Sequence, residues 1–145
     1  MTNVRIRLAA PQERDALEAL QWRASLANDA DRPHLEANPD AIELPQEQID
    51  LGQVLVAEID GAIAGFAVFV REEGHAELDG LFVEPELWRK GIGAALVEKA
   101  KEWTNKKGCG RLRLRTNVKR VDAHRFYSGL GFTELKEQKV FEIAV

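Results

Sequence analysis

The residues of this chain with the clearest chemical signature lie in the segment LWRKGIGAAL, Leu87 to Leu96. Gly91 and Gly93 precede an apolar pattern with helical spacing. The first N–H groups of a helix lack partners within the helix, and its N-terminus carries a partial positive charge, so such ends bind phosphate groups. Glycine lets a ligand approach this backbone closely, and the adjacent Arg89-Lys90 pair adds full charges. The segment therefore predicts a pyrophosphate site.

Two common phosphate-binding motifs do not match this segment. A dinucleotide-binding fingerprint requires a third glycine where this chain has Leu96. A P-loop requires Lys followed by Ser or Thr, whereas Gly91 and Gly93 lead into Ala94 and Ala95. A tight strand-to-helix turn without a ligand would need the same glycines, so the turn alone leaves both interpretations open.

The elements ahead of this turn begin with a strand and a helix. Apolar and polar residues alternate in NVRIRLA, which predicts the strand, and the helix runs from Pro11 to near Asn28. Residues 29–50 contain three prolines, seven acids and one arginine, which predicts a loop with a short second helix. A segment of this length in which apolar residues follow neither helical nor strand spacing is either functional or mobile.

The rest of the chain predicts a sheet that surrounds the glycine turn. Three runs, QVLVAEID, GAIAGFAVFV and HAELDGLFV, predict an antiparallel meander. A helix is expected from Gly91 to about Lys107, and GRLRLRT alternates as a strand. A last helix, capped by Asp122, should end at Gly129, with one or two strands in residues 131–145.

Length and composition predict one soluble α+β domain over residues 1–145. The chain has 145 residues, of which 45% are hydrophobic and 30% charged, and a domain of this size buries enough surface for a stable core. The single Cys109 cannot form an internal disulfide. Neither a signal peptide nor an apolar run of membrane-spanning length is visible, so we expect a cytoplasmic protein without a membrane partner.

Charge is distributed unevenly along the chain. The net charge is −4, yet Arg89 to Arg125 contains twelve Lys and Arg and three acids. Phosphate ligands would suit this excess, although solvated helix and strand faces would account for part of it. Because the remainder is acidic and no nucleic-acid motif is present, we expect no nucleic-acid partner.

Two segments in a fixed order resemble the GNAT superfamily of N-acetyltransferases. LFVEPELWRKGIGAALVEKA is similar to the family's acetyl-CoA-binding motif, Gln/Arg-x-x-Gly-x-Gly/Ala after a Val-x-Pro strand end. AHRFYSGLGF, Ala123 to Phe132, is similar to the second family segment, in which Ala-x-x-x-Tyr is followed by Gly-Phe. The resemblance implies a GNAT-like α+β fold with a mixed, mostly antiparallel sheet of six to seven strands and about four helices.

The resemblance also implies that acetyl-CoA is the co-substrate. The turn from Arg89 to Ala94 would bind pyrophosphate through backbone N–H groups, and the strand end from Leu81 to Val83 would pair with the pantetheine arm as an added strand does. The sequence departs from the family pattern at two positions. Trp88 stands where the family usually has Gln or Arg, and Arg120 stands where Asn is frequent. Asn117 is near enough in sequence to replace that asparagine. The implied cofactor-binding residues are Leu81, Phe82, Val83, Arg89, Lys90, Gly91, Ile92, Gly93, Ala94, Asn117 and Arg120.

The implied chemistry is direct attack of a neutral amine on the thioester carbonyl, with a base for the amine and an acid for the departing thiolate. Tyr127, the single tyrosine, matches the family's acid position, and a phenol stays protonated at neutral pH. An ordinary half-buried aromatic is the alternative. Glu77 aligns with the catalytic glutamate of related histone acetyltransferases, and Asp79 is the second candidate base.

The strand HAELDGLFV leaves the choice of base open. In a regular strand His75, Glu77 and Asp79 share a face with Leu81. A solvent-exposed strand face with ordinary surface charges would show the same alternation, so this pattern does not by itself identify a base. Gly80 could mark a bulge that changes which side chains enter the cleft. No Cys/His set has metal-ligand spacing, so we expect no metal, and Cys109, His34 and His124 receive structural interpretations.

The resemblance implies that the acceptor binds near residues 29–50, because the first helix pair of the family and the loop between its helices line the acceptor side. Five acidic residues would favour a cationic amine such as a polyamine, an aminoglycoside-like molecule or a lysine side chain, although a solvated acidic loop would have the same composition. The family also makes a homodimer plausible, through KVFEIAV. The leading function is an N-acetyltransferase for a small amine; the alternatives are a peptide or protein acetyltransferase and a non-catalytic CoA-binding module. The five acidic residues are Asp29, Asp31, Glu36, Asp40 and Glu43.

Overall fold

A five-stranded mixed sheet in the order β1-β2-β3-β4-β5 dominates the described part of the chain. The computed structural model describes residues 3–27, 32–38, 42–114 and 121–133. The chain divides into two units, Met1–Arg115 and Thr116–Val145. The strands are β1 Val4–Leu8, β2 Val54–Ile59, β3 Ala62–Glu72, β4 His75–Val83 and β5 Leu112–Leu114. The helices are α1 Arg14–Leu26, α2 Arg32–Ala37, α3 Gln46–Asp50, α4 Ile92–Lys106 and α5 Val121–Gly129, with 3-10 turns at Pro11–Glu13 and Pro85–Leu87.

Strand pairing confirms the predicted mixed and mostly antiparallel sheet. β1 to β4 pair antiparallel in sequence order, and β5 pairs parallel with β4. The N-terminal strand, the meander and the long helix after the glycine turn all lie where the sequence predicts them. The described residues contain five strands rather than six or seven, and most of the segment 131–145, where we predict the last strands, lies outside them. The single-domain prediction for residues 1–145 stays a prediction.

Helices cover both faces of the sheet in the first unit. On one face, the α1 residues Leu17, Leu20 and Ala24 join the core formed by β2 and β3 side chains such as Phe66. On the other face, Phe69 packs edge-on against Trp103 of α4, with ring centroids 4.2 Å apart. Apolar side chains at helical spacing therefore anchor α1 and α4 to opposite faces, which holds the start of α4 beside the end of β4.

A β-bulge in β4 changes which side chains share a face. Phe69 pairs with Leu78 and Val68 pairs with Gly80, which leaves Asp79 as the extra residue. The expectation that Glu77 shares a face with Leu81 is therefore wrong, because one extra residue reverses the alternation. By register, Glu77 lies on the α1 face and Leu81 lies on the α4 face.

Arg7 forms a partly buried ion cluster that ties β1 to the turn before α1. Its guanidinium donates two hydrogen bonds of 2.8 Å to the carboxylate oxygens of Glu13 and one of 3.0 Å to Glu58. Glu13 also accepts a hydrogen bond from the backbone N–H of Ala10 at 2.7 Å. The hydrogen bonds from Arg7 hold the pKa of Glu13 below its ordinary value, against the opposing effect of burial.

We expect Glu13→Gln to lower the free energy of unfolding at pH 7 by about 1–3 kcal/mol, because it removes a charge-assisted pair from a partly buried site. A carboxyl group whose pKa is lowered by folding stabilises the fold above its unfolded pKa, and this stabilisation disappears as pH falls through the folded pKa. The difference between wild type and variant should therefore shrink below about pH 4.3. Denaturant unfolding at a series of pH values measures it, with the exposed Glu98→Gln as the matched control. An equal difference at every pH would contradict the assignment.

Candidate functional site

The N-terminus of α4 presents backbone N–H groups without partners in the helix. The N-cap residue Gly91 has φ 83°, no side chain caps the helix, and the first intrahelical bond runs from the N–H of Ala95 to the carbonyl of Gly91 at 3.0 Å. The N–H groups of Ile92, Gly93 and Ala94 therefore have no acceptor within α4. Such a helix end is suited to an anion.

The backbone before α4 is unusual at two positions. Arg89 has φ 66° and Gly91 has φ 83°, both in the left-handed region that L side chains rarely adopt. Among the described residues, a Cβ added at Gly91 would meet no atom within 4 Å beyond its own chain neighbours, so the space beside this glycine is open. Arg89 and Lys90 are exposed beside it. Backbone strain in a non-glycine residue is concentrated at functional sites, so this turn is a candidate ligand clamp.

The edge of β4 next to this turn offers backbone hydrogen-bonding groups to a ligand. β5 pairs with Ala76–Leu78 and no further, and among the described residues no strand pairs with 79–83 on that side. The N–H of Glu84 bonds to the carbonyl of Ala64 on β3, so by alternation Leu81 and Val83 direct their backbone groups away from β3. An edge of this kind can accept an extended, amide-rich chain.

Trp88 connects the turn to the end of β4. Its indole N–H donates a hydrogen bond of 2.8 Å to the carbonyl of Val83, and its side chain stays exposed. The sequence shows only that Trp88 departs from the family motif, and no pattern signals a contact across the turn. Trp88 therefore connects the end of β4 to the turn that precedes α4.

Glu77 and Asp79 occupy different environments. The Glu77 side chain is 21% exposed and its Oε1 lies 3.3 Å from Nε2 of His75. Asp79 is exposed at the bulge, and its immediate neighbour Gly80 is required there because a Cβ would come within 2.6 Å of the Phe82 ring. Glu77 is thus the more sheltered of the two candidate bases.

The remaining predicted residues make other contacts or fall outside the described residues. Phe82 directs its ring into the core, 5.2 Å from the Phe66 ring centroid. Tyr127 lies on α5 in the second unit, where its ring packs edge-on against Phe126 and Phe132. Asn117 and Arg120 fall outside the described residues. The catalytic role of Tyr127 stays a prediction.

Acidic side chains also line a cavity along α1. A cavity of about 470 Å³ is bordered by Asp15, Glu18 and Trp22. These residues recur at helical spacing on one face of α1, and this pattern is visible in the sequence. They are not among the site residues that the sequence analysis predicts. Arg23, at its border, forms an ion pair with Glu84 at the end of β4 and lies beside a second cavity of about 630 Å³.

The predicted acidic loop is described only in part. Glu36 pairs with Arg32 of the same helix at 2.7 Å, and Glu43 is exposed. The other three acids lie outside the described residues: Asp29, Asp31 and Asp40.

The described residues contain neither a metal-ligand cluster nor a membrane-spanning helix. In the ranges 3–27, 32–38, 42–114 and 121–133, no group of three or more His, Cys, Asp or Glu side chains is arranged for a metal ion. Within the same ranges, no helix has both the length and the apolar composition needed to cross a membrane. Cys109 is buried.

Known proteins resemble this chain in sequence and in fold. Residues 16–132 match the model of the Acetyltransferase (GNAT) family. An aminoglycoside N(6')-acetyltransferase type 1 of Stenotrophomonas maltophilia is 32% identical over 149 residues, which cover 95% of this chain and 92% of that protein. An uncharacterized N-acetyltransferase of Archaeoglobus fulgidus is 40% identical over 90 residues, covering 54% and 58% of the two chains.

Solved structures share the fold at lower identity. The PaiA N-acetyltransferase of Thermoplasma acidophilum, in complex with coenzyme A, has a TM-score of 0.75 and 22% identity over 88% of this chain and 87% of that one. AAC(6')-Iy in complex with the bisubstrate analog CoA-S-monomethyl-acetylneamine has a TM-score of 0.72 and 19% identity over 99% of each chain. The α+β fold predicted from the resemblance is therefore confirmed.

Proposed function

Because the chain belongs to the GNAT family and is an acetyl-CoA-dependent acyltransferase, we propose that it acetylates a primary amine of a small, cationic, aminoglycoside-like acceptor. The observation that carries the acceptor class is the 32% identity to an aminoglycoside N(6')-acetyltransferase over nearly the whole length of both chains. The cavity beside α1 supports it, since the carboxylates of Asp15 and Glu18 share the single guanidinium of Arg14 and keep negative charge that would attract a polycation.

The residues at the start of α4 fit the pyrophosphate of acetyl-CoA. The N–H groups of Ile92, Gly93 and Ala94 would donate to its oxygens, and Arg89 and Lys90 would supply charge. The open space at Gly91 leaves room for close approach. Neighbours solved with coenzyme A support the same co-substrate.

The β4 edge fits the extended pantetheine arm. Leu81 and Val83 would pair with its amides through their outward backbone groups, as an added strand pairs with a sheet. The Val83 carbonyl already accepts one hydrogen bond from Trp88, and a carbonyl oxygen has a second lone pair for the ligand.

The proposed reaction is direct transfer in a ternary complex. The amine nitrogen attacks the thioester carbonyl, the C–N bond forms, and the C–S bond breaks as the tetrahedral intermediate collapses. Glu77 takes the proton from the nitrogen, and Tyr127 gives a proton to the departing thiolate. Asp79, at the bulge, is the alternative base.

Neamine, a small polyamine, tests the acceptor proposal when incubated with acetyl-CoA and the full chain. We expect acetylated neamine by mass spectrometry, and weaker activity on lysine-containing peptides. The reverse preference would favour the peptide or protein acetyltransferase. Acetyl-CoA binding without turnover of either would favour the non-catalytic module.

We expect Asp15→Asn to raise KM for neamine by about two- to fivefold, as for loss of one exposed ion pair, with KM for acetyl-CoA unchanged. Asp15 is suited to this test because its side chain is 94% exposed, so its neutralisation leaves the core intact. Steady-state kinetics measure both constants. Glu98→Gln, an exposed neutralisation on α4, is the matched control, and an unchanged KM in Asp15→Asn would remove this cavity from the acceptor site.

Three further predictions accompany this function. The cytoplasmic location and the absence of a nucleic-acid partner are expected from the sequence, and a homodimer formed through KVFEIAV is expected from the family resemblance. Size-exclusion chromatography with light scattering tests the dimer.

A further inference from the structure

His75 and Glu77 form a sheltered pair at the start of β4. Nε2 of His75 lies 3.3 Å from Oε1 of Glu77, and Nδ1 lies 3.2 Å from the backbone carbonyl of Glu73. The two side chains are only 15% and 21% exposed. The bulge at Asp79 leaves both on the face that α1 covers, since the pair precedes it in the strand.

The two contacts of His75 limit which atoms of the His75–Glu77 pair can hold a proton. A backbone carbonyl can only accept a hydrogen bond, so the contact with Glu73 is a hydrogen bond only in the tautomer that carries a proton on Nδ1. A neutral imidazole has a single N–H, which then leaves Nε2 as an acceptor facing the carboxylate of Glu77, also an acceptor. Both contacts become hydrogen bonds when one additional proton lies between Nε2 and Oε1. The geometry therefore leaves a position for one additional proton between Nε2 and Oε1.

We propose that His75 is a positioning residue that shares the proton taken up by Glu77 during acetyl transfer. This inference rests on the proposed function, in which Glu77 is the base. A lone carboxylate is a weak base for an ammonium-like nitrogen, and a catalytic base works best when it titrates near the operating pH. An imidazole changes charge in that range.

The proton balance of the step is simple. The N–H bond of the attacking amine breaks, its electron pair stays on nitrogen as the new C–N bond is completed, and Glu77 accepts the proton. Its Oε2 can receive that proton, since Oε1 contacts His75. Rotation of the carboxyl group about its Cγ–Cδ bond then brings this proton between the carboxyl oxygen and Nε2, where the two atoms share it, so the pair gains one proton and one positive charge. Release to solvent restores neutral His75 and ionised Glu77.

Other ionisable side chains surround the pair on the same face. By register, Glu72 of β3 lies opposite His75 and Arg113 of β5 lies opposite Glu77, while Asp79 follows in β4. Among the described residues, the ion pair recorded for Glu77 is the one with His75. The charged residues of α1 make ion pairs with one another or with Glu84: Arg14, Asp15, Glu18 and Arg23.

The pH dependence of activity tests the sharing of the proton. We compare kcat/KM for neamine between wild type and His75→Gln from about pH 5.5 to about pH 8.5, the range in which histidine titrates. The ratio of wild type to variant should rise about tenfold with pH, because protonated His75 already holds the shared proton at low pH. Titration of the amine affects both enzymes equally and cancels. If the ratio of kcat/KM between wild type and His75→Gln stays constant with pH, as a merely structural role predicts, the proposal is overturned. His34→Gln is the control, and its ratio to wild type should not change with pH.

Imidazole ¹⁵N NMR gives a second readout that needs no acceptor. At one fixed pH of about 7, the Nε2 signal of His75 should differ between the wild-type chain and Glu77→Gln, because a carboxylate can share a proton with that nitrogen and an amide cannot. Identical His75 signals in the two chains would overturn the proposal. If neamine is not acetylated, the acceptor proposal fails, and the NMR comparison still decides whether the pair shares a proton.

Discussion

Glu77→Gln should lower kcat for acetyl transfer by ~10²- to 10⁴-fold, the usual contribution of a positioned general base. Glutamine keeps the size of the side chain and can still hydrogen-bond to His75, but its amide cannot accept the amine proton. KM for acetyl-CoA should stay within about twofold, because Glu77 is remote in the strand from the backbone groups that would bind the co-substrate. Stopped assays of neamine acetylation measure both constants.

Asp79→Asn is the matched variant for this prediction. Both substitutions neutralise one carboxylate on β4, but Asp79 is exposed at the bulge whereas Glu77 is sheltered beside His75. We expect the decrease in kcat in Asp79→Asn to be at least about tenfold smaller than the decrease in Glu77→Gln. Normal turnover in Glu77→Gln together with a large loss in Asp79→Asn would transfer the role of base to Asp79. That result would also remove the basis for proton sharing with His75.

Gly91→Ala should weaken acetyl-CoA binding by about tenfold or more. Alanine at φ 83° costs about 1–2 kcal/mol, which the turn can relieve only by moving the backbone N–H groups out of position. The added methyl group would also occupy the open space that the described residues leave beside Gly91. Calorimetric titration with acetyl-CoA measures the change.

Gly108→Ala separates the loss of binding from the loss of stability. Gly108 follows the other end of α4 and has φ 78°, and a Cβ added there would likewise meet nothing within 4 Å. Both alanine variants should lose a similar amount of folding stability, about 1–2 kcal/mol, but only Gly91→Ala should lose affinity. Equal affinities in the two variants would show that Gly91 serves the turn and not the ligand.

The sequence determined the parts of the fold that depend on local pattern. Alternation at Val4, Ile6 and Leu8 and in the meander predicted strands, and helical spacing after Gly91 predicted α4 within one residue at each end, because these periods reflect which side chains are buried. The glycine turn and the second motif also sufficed to place the chain in its family, since both are short linear segments.

The tertiary structure decided the contacts that depend on register. A single extra residue at Asp79 placed Glu77 and Leu81 on opposite faces, and strict alternation could not have shown this. The Trp88 hydrogen bond to Val83 and the His75–Glu77 contact likewise depend on side-chain directions. Sequence periodicity reports burial averaged over an element, whereas the proposed proton transfer depends on atoms placed within hydrogen-bonding distance, and only the folded chain sets those distances.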